Sequence, residues 1–123
     1  MPAMVPGFLL KKLYVKGSFK NNPKGFELSL KNALAPGTLI GFGPLQIDGR
    51  AIPLEAVFIS IGNAEPVRAS EVSLTTPRLF PLNSVVNFRV EDQPLAPGNH
   101  HLTLAVNTKE AGELKIDAED KIE

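Results

Sequence analysis

The chain has 123 residues, enough for one domain with a real but modest core. Thirteen basic and thirteen acidic residues cancel, which excludes a general nucleic-acid binder, a function that needs a positive excess to displace counterions. There is no cysteine, so disulfides, thiolate zinc sites and cysteine nucleophiles are excluded, and a reducing cytoplasm is the expected compartment.

The charge is unevenly spread. Six lysines (Lys11, Lys12, Lys16, Lys20, Lys24, Lys31) stand against the single acid Glu27 in the first quarter, and residues 110–123 carry six acids against Lys115 and Lys121. Such ends are either neighbours, within one chain or between subunits, or two solvated faces. Residues 1–10 lack a basic leader and a long apolar run, so they are not read as a secretory signal. No stretch approaches the roughly 20 apolar residues of a membrane span.

Eleven prolines and ten glycines cut the chain into short pieces and leave no clean helical window. Residues 8–19 read as the first strand, because Leu13 and Val15 alternate with Lys12, Tyr14 and Lys16. Asn21-Asn22-Pro23-Lys24-Gly25 is a turn. Phe26, Leu28 and Leu30 then alternate with Glu27, Ser29 and Lys31, and the two segments are expected to form a hairpin. Leu34-Ala35-Pro36-Gly37 follows and returns as Leu95-Ala96-Pro97-Gly98. Each copy lies between a strand holding a phenylalanine and another apolar strand. That repeat fits a duplicated half, or simply the recurrence of a good turn.

Residues 38–42 form a short strand ending in Gly41-Phe42-Gly43-Pro44. This is no dinucleotide fingerprint, since the third glycine and the following helix are missing. Residues 45–52 read as a compact hairpin around Asp48-Gly49, a pair suited to a type I′ turn. Residues 57–61 are a β-branched strand, and residues 69–74 fit either one helical turn or a strand. Pro77 and Pro81 confine residues 78–80 to an edge strand or extended loop, because proline cannot donate to a ladder. Residues 85–106 carry the clearest pattern. Val86, Phe88 and Val90 alternate with Asn87, Arg89 and Glu91, and Leu102, Leu104 and Val106 alternate after the Pro97-Gly98 loop. The stretch reads as a β-hairpin. A turn over residues 108–112 and a strand over 114–118 complete the chain. The expected fold is one all-β domain over residues 1–123, an antiparallel, jelly-roll-like β-sandwich of about eight or nine short strands.

Little chemistry stands out. His100 and His101 are the only histidines. As strand neighbours they point to opposite faces and cannot easily share a metal. They form a weak candidate polar site at a sheet edge, His100 being placed to hold the preceding loop by a side-chain to backbone hydrogen bond. Asp48 is best read as a turn former, Glu55 as exposed, and Glu91-Asp92 as a solvated turn. Lys11-Lys12 with Tyr14 is a basic–aromatic cluster that fits an outer face better than an RNA platform. No serine sits on a nucleophile elbow and there is no phosphate loop. No catalytic residue, cofactor or metal is assigned. The apolar stretch at residues 5–10 needs a cover, so Val5, Phe8, Leu9 and Leu10 are candidate subunit contacts, with residues 1–10 as an arm.

The Gly25-Phe26 strand, the residues 45–55 hairpin with its Asp48-Gly49 turn and Pro53, and the Leu95-Ala96-Pro97-Gly98-Asn99-His100 strand entrance resemble the small β-subunit family of C-glycoside deglycosidases. That resemblance implies a non-catalytic β-sandwich accessory subunit beside a larger metal-dependent barrel subunit that carries the chemistry, and no catalytic residue carries over. The chain is also similar to short proteins that sometimes carry a hydroxymethylglutaryl-CoA reductase label. Its length and its lack of a nucleotide-binding motif argue against that label. The expected partners are therefore a second copy of the chain and a larger catalytic subunit. Three alternatives stand beside this reading. One is a self-assembling protein that exchanges its N-terminal strand. The second is a stand-alone carbohydrate-binding module, disfavoured by the absence of tryptophan. The third is a small enzyme using His100 or His101.

Overall fold

The computed structural model describes residues 7–123, and only the backbone of Gly7 and Phe8. A short helix α1 (Gly7–Leu10) and a 3₁₀ turn (Lys11–Leu13) precede the strands. These are β1 (Lys20–Asn22), β2 (Gly25–Lys31), β3 (Gly37–Phe42), β4 (Leu45–Ile47), β5 (Arg50–Ile52), β6 (Val57–Ile61), β7 (Val67–Arg68), β8 (Arg78–Phe80), β9 (Val85–Glu91), β10 (Gly98–Thr108) and β11 (Gly112–Ile122). Further 3₁₀ turns lie at Leu54–Ala56 and Ala69–Glu71.

The strands form two antiparallel sheets, as expected of an all-β sandwich. One has the order β1-β2-β9-β6-β7, the other β5-β4-β10-β3-β8 with β11 on the far edge of β10. The alternating residues behave as their period dictates. Phe26, Leu28 and Leu30 of β2, Val86, Phe88 and Val90 of β9, and Leu102, Leu104 and Val106 of β10 are all buried. Phe42 of one sheet meets Phe88 of the other edge-on, with ring centroids 5.7 Å apart. Each such side chain contributes roughly 1.5–3 kcal/mol on burial, so this facing set outweighs any single ladder hydrogen bond at about 1 kcal/mol.

The hairpin expected over residues 85–106 does not form. β9 pairs with β2 and β6, whereas β10 pairs with β11, β3 and β4. Both edges of both strands are taken, so residues 92–97 arch from one sheet to the other. The first Leu-Ala-Pro-Gly copy makes the same move, from β2 to β3. Because β2 neighbours β9 and β3 neighbours β10, the repeated tetrapeptide marks two matching arches. They are held alike. Asn32 Oδ1 accepts the Leu34 N–H (3.2 Å) and Asn32 Nδ2 donates to the Ala35 carbonyl (2.7 Å). In the second arch Asn21 Oδ1 accepts the Leu95 N–H (2.9 Å), and His100 Nε2 bonds the Ala96 carbonyl (2.7 Å).

Three other expectations are corrected. Residues 8–13 are helical rather than extended, which brings Leu10 and Leu13 to the core side. Of the expected first strand, Tyr14 alone makes a bridge, opposite Leu30. The true first hairpin is β1–β2, around the expected turn. The last strand runs to Ile122 because the inward alternation passes through Asp120, whose charge hid it in the sequence. Residues 69–71 take the helical turn, and β8 is the expected edge strand. The strands number eleven among the described residues, with several of only two or three residues.

β3 and β4 share one edge of β10. Val106 faces Phe42 and Leu102 faces Ile47, so one extra residue is packed into the β3–β4 side, a β-bulge at Gly43-Pro44. Gly43 donates its N–H to the Ala105 carbonyl (2.9 Å), and a Cβ there would lie 2.7 Å from the Ala105 Cβ. Only glycine allows that approach.

Candidate functional site

The Asp48-Gly49 turn has φ of 52° and 84°, the two positive angles of a type I′ turn. It presents the Asp48 carboxylate to β10. Oδ1 accepts the His101 N–H (2.8 Å) and Oδ2 meets His100 Nδ1 (2.6 Å). On its other side His100 Nε2 reaches the Ala96 carbonyl at 2.7 Å, which is the side-chain to backbone bond expected from the sequence. Both partners of the ring are acceptors, so His100 satisfies them only as an imidazolium donating from both nitrogens. The Phe19 ring packs edge-on against it, centroids 5.7 Å apart, and the side chain is 11% exposed. The Ala96 carbonyl, and then Asp48, raise the His100 pKa above the usual imidazole value against the opposing effect of burial. The His101 N–H, and then His100, hold Asp48 below the usual carboxylate value.

Two more contacts grip the same arch. Asn21 Nδ2 donates to the Leu95 carbonyl (2.9 Å). Arg50 of β5 pairs with Asp92 at 2.9 Å, and Asp92 also caps the Gln93 N–H (2.7 Å). That N–H, and then Arg50, outweigh burial and lower the Asp92 pKa. Asp92 is thus a tie between the sheets rather than a solvated turn. Nothing local in the sequence signals a partner 42 positions away.

His101 points to the opposite face, as neighbouring strand residues must. Its Nε2 lies 2.8 Å from Asp117 Oδ1, which also accepts the Thr103 hydroxyl at 2.8 Å. Thr103 first, then His101, lower the Asp117 pKa against slight burial. The two histidines share no ligand position. They sit on β10, inside its sheet rather than at an edge.

Beside His101 a shallow groove of about 500 Å³ brings Lys11, Tyr14 and Lys16 against β11. Here the oppositely charged ends of the chain meet. The Tyr14 hydroxyl donates to Asp120 Oδ2 (2.7 Å), as does the Gly17 N–H (2.9 Å), and Lys16 Nζ lies 3.9 Å from Oδ1. Burial works to raise the Asp120 pKa, but these donors outweigh it and the carboxyl titrates below its usual value. Burial, and then Asp120, push the Tyr14 phenol well above its own. Asp48 and Glu55 are not brought together as a carboxylate pair: Glu55 stands exposed on the 3₁₀ turn after β5. Val5 and the Phe8 side chain lie outside the described residues. Leu9 and Leu10 are half-buried, and Leu10 packs on the core of its own chain.

The groups found here fasten one another. Among the described residues no three histidine, aspartate or glutamate side chains are placed to hold a metal ion, and no helix is long and apolar enough to cross a membrane. Fold and site together define a two-sheet antiparallel β protein whose polar cluster clamps an inter-sheet arch. The family model for the hydroxymethylglutaryl-CoA reductase N-terminal domain matches residues 9–123, and the chain belongs to that family. No curated protein matches the sequence. This overturns the resemblance to C-glycoside deglycosidase small subunits, which rested on turn signatures common to many β-sandwiches. It also overturns the rejection of the hydroxymethylglutaryl-CoA reductase name, as the name of a domain family. The size argument applies to a whole enzyme, whereas the match is to one domain.

Proposed function

We propose that this chain is a non-catalytic structural subunit that works through protein contact, with a second copy of itself as first partner. The observation that carries this reading is where the exposed large apolar side chains fall. Leu74 (68% exposed), Leu79 (73%), Leu82 and Val85 all lie within twelve residues around edge strand β8. An unpaired edge bearing an exposed leucine invites strand addition. The family name describes a domain of a larger enzyme, which supports a module that accompanies a catalytic unit. The mutually satisfied groups around His100 and His101 suit a structural role.

Light scattering over a concentration series tests it. The wild-type chain is expected at a multiple of the monomer mass, and Leu79→Lys, folded by circular dichroism, as a monomer. Removing residues 1–8 is expected to leave the assembly intact; if it dissolves the assembly, strand exchange by the N-terminal arm replaces the β8 contact. A wild-type monomer throughout sinks the self-association.

A further inference from the structure

We infer that the outer face of the β1-β2-β9-β6-β7 sheet binds a small ligand that joins a single carboxylate to a flat or aliphatic body. The carboxylate sits on Arg89 and the body on Phe58 and Pro66. This goes beyond the self-assembly reading and does not rest on it, since β8 lies in the other sheet.

The face is organised by register. Lys20 stands opposite Glu27, Glu27 opposite Arg89, Arg89 opposite Phe58, and Phe58 opposite Arg68. Each of the five strands thus gives one outward side chain to a single transverse row of three cations, one acid and one ring. A groove of about 480 Å³ opens over its centre, lined by Glu27, Arg89, Phe58, Pro66 and Glu91 among others. That volume lies in the roughly 300–1,000 Å³ range of small-molecule sites.

Most of the row is already engaged. Glu27 accepts from Asn22 Nδ2 (3.2 Å) through one oxygen and from Asn87 Nδ2 (3.4 Å) through the other. Arg68 lies over the Phe58 ring, 5.3 Å from its centroid, and 3.9 Å from Glu71. Arg89 differs. Among the described residues it has no hydrogen-bond or ion-pair partner, although Glu27 is directly across the ladder. Its planar fork of donors matches a carboxylate in two-point fashion. Phe58 and Pro66 offer an apolar wall beside that fork. Glu27 and Glu91 balance Arg89 and Lys24 in the lining, which leaves no net positive charge for a second negative one, so a monoanion is favoured over a phosphate. In the groove beside His101, Tyr14, Lys16, His101 and Asp117 already bond within the chain, and the Lys11 side chain, without a partner among the described residues, has no guanidinium fork.

The test is an amide-resolved NMR titration of the full chain with benzoate and with its neutral counterpart benzamide. Benzoate is expected to give saturable shifts confined to the Glu27, Phe58, Arg89 and Glu91 region, and benzamide to bind at least about tenfold more weakly. Arg89→Gln is expected to lose about tenfold in benzoate affinity, with Arg89→Lys in between because it keeps the charge without the fork. Should Arg89→Gln lose amide dispersion, Phe58→Ala serves as the second variant and is expected to weaken benzoate while leaving its preference over benzamide. Shifts that are linear and scattered over the molecule, equal binding of the two probes, or an unchanged affinity in folded Arg89→Gln overturn the assignment.

Discussion

Replacing His100 by alanine is the sharpest test of the clamp. The ring donates two short hydrogen bonds, one to Asp48 at 2.6 Å and one to the Ala96 carbonyl at 2.7 Å. A bond involving a charged group is worth roughly 1.5–3 kcal/mol net in a protein. Asp48 is half exposed and Ala96 lies at the surface, so solvent screening holds both bonds near or below the lower end of that range. The combined loss, with the Phe19 contact, comes to roughly 2–3 kcal/mol. For a chain of this size that lowers Tm by about 8–12 °C, at about 4 °C per kcal/mol. The effect depends on pH in a stated direction. The His100 pKa is raised on folding, so its contribution is complete below about pH 6.5, the unfolded imidazole value, and disappears as pH rises through the higher folded value. Asp48 has the opposite sign. Its pKa is lowered, so its contribution is complete above about pH 4 and is lost as pH falls through the folded value. Asp120, directly opposite His100 on β11, also has a lowered pKa and adds to the acid loss in both proteins alike. Thermal melts of wild type and variant from about pH 5 to about pH 9 should therefore converge toward the alkaline end. A stability difference that stays constant across that span would refute the imidazolium and leave only packing.

Two further predictions concern the frame. Gly43→Ala drives a Cβ into that of Ala105 and should cost about 1–3 kcal/mol in urea unfolding. Adding Ala105→Gly should recover part of that loss; simple additivity of the two costs would remove the clash from the explanation. Tyr14→Phe takes one donor from nearly buried Asp120 and should destabilise by about 1–2 kcal/mol. The same change should raise the Asp120 titration midpoint followed by carboxyl NMR, and an unmoved midpoint contradicts the assigned balance of donors.

What the sequence made legible was local. Asp48-Gly49 specifies its turn because two adjacent positive φ angles select those residue types, and Pro77 and Pro81 specify an edge strand because neither can donate. Alternation in residues 85–106 correctly separates inward from outward faces, but it is silent about which edge pairs with which. The hairpin reading failed there. Asp120 concealed half of β11 because a buried charge needs the Tyr14 and Gly17 donors and the nearby Lys16 cation, all about a hundred positions away, to be tolerable. The site divides the same way. The His100 bond to Ala96 spans four residues and could be read. Asp48 was seen only as a turn former, because its two partners on β10 lie more than fifty residues downstream.

The two matching arches also shape how the chain folds. Strands of the two sheets are interleaved along the sequence, so any continuous fragment that contains one sheet whole also carries strands of the other. β10 and β11 form the one long ladder closed by a short turn, whereas β2 waits for β9 about sixty residues later. The loop-closure entropy of such distant pairings is met before their burial is gained, which places the molecule among slow folders on the millisecond-to-second scale. Every sheet needs strands from both halves of the chain, so neither half completes a sheet without the other.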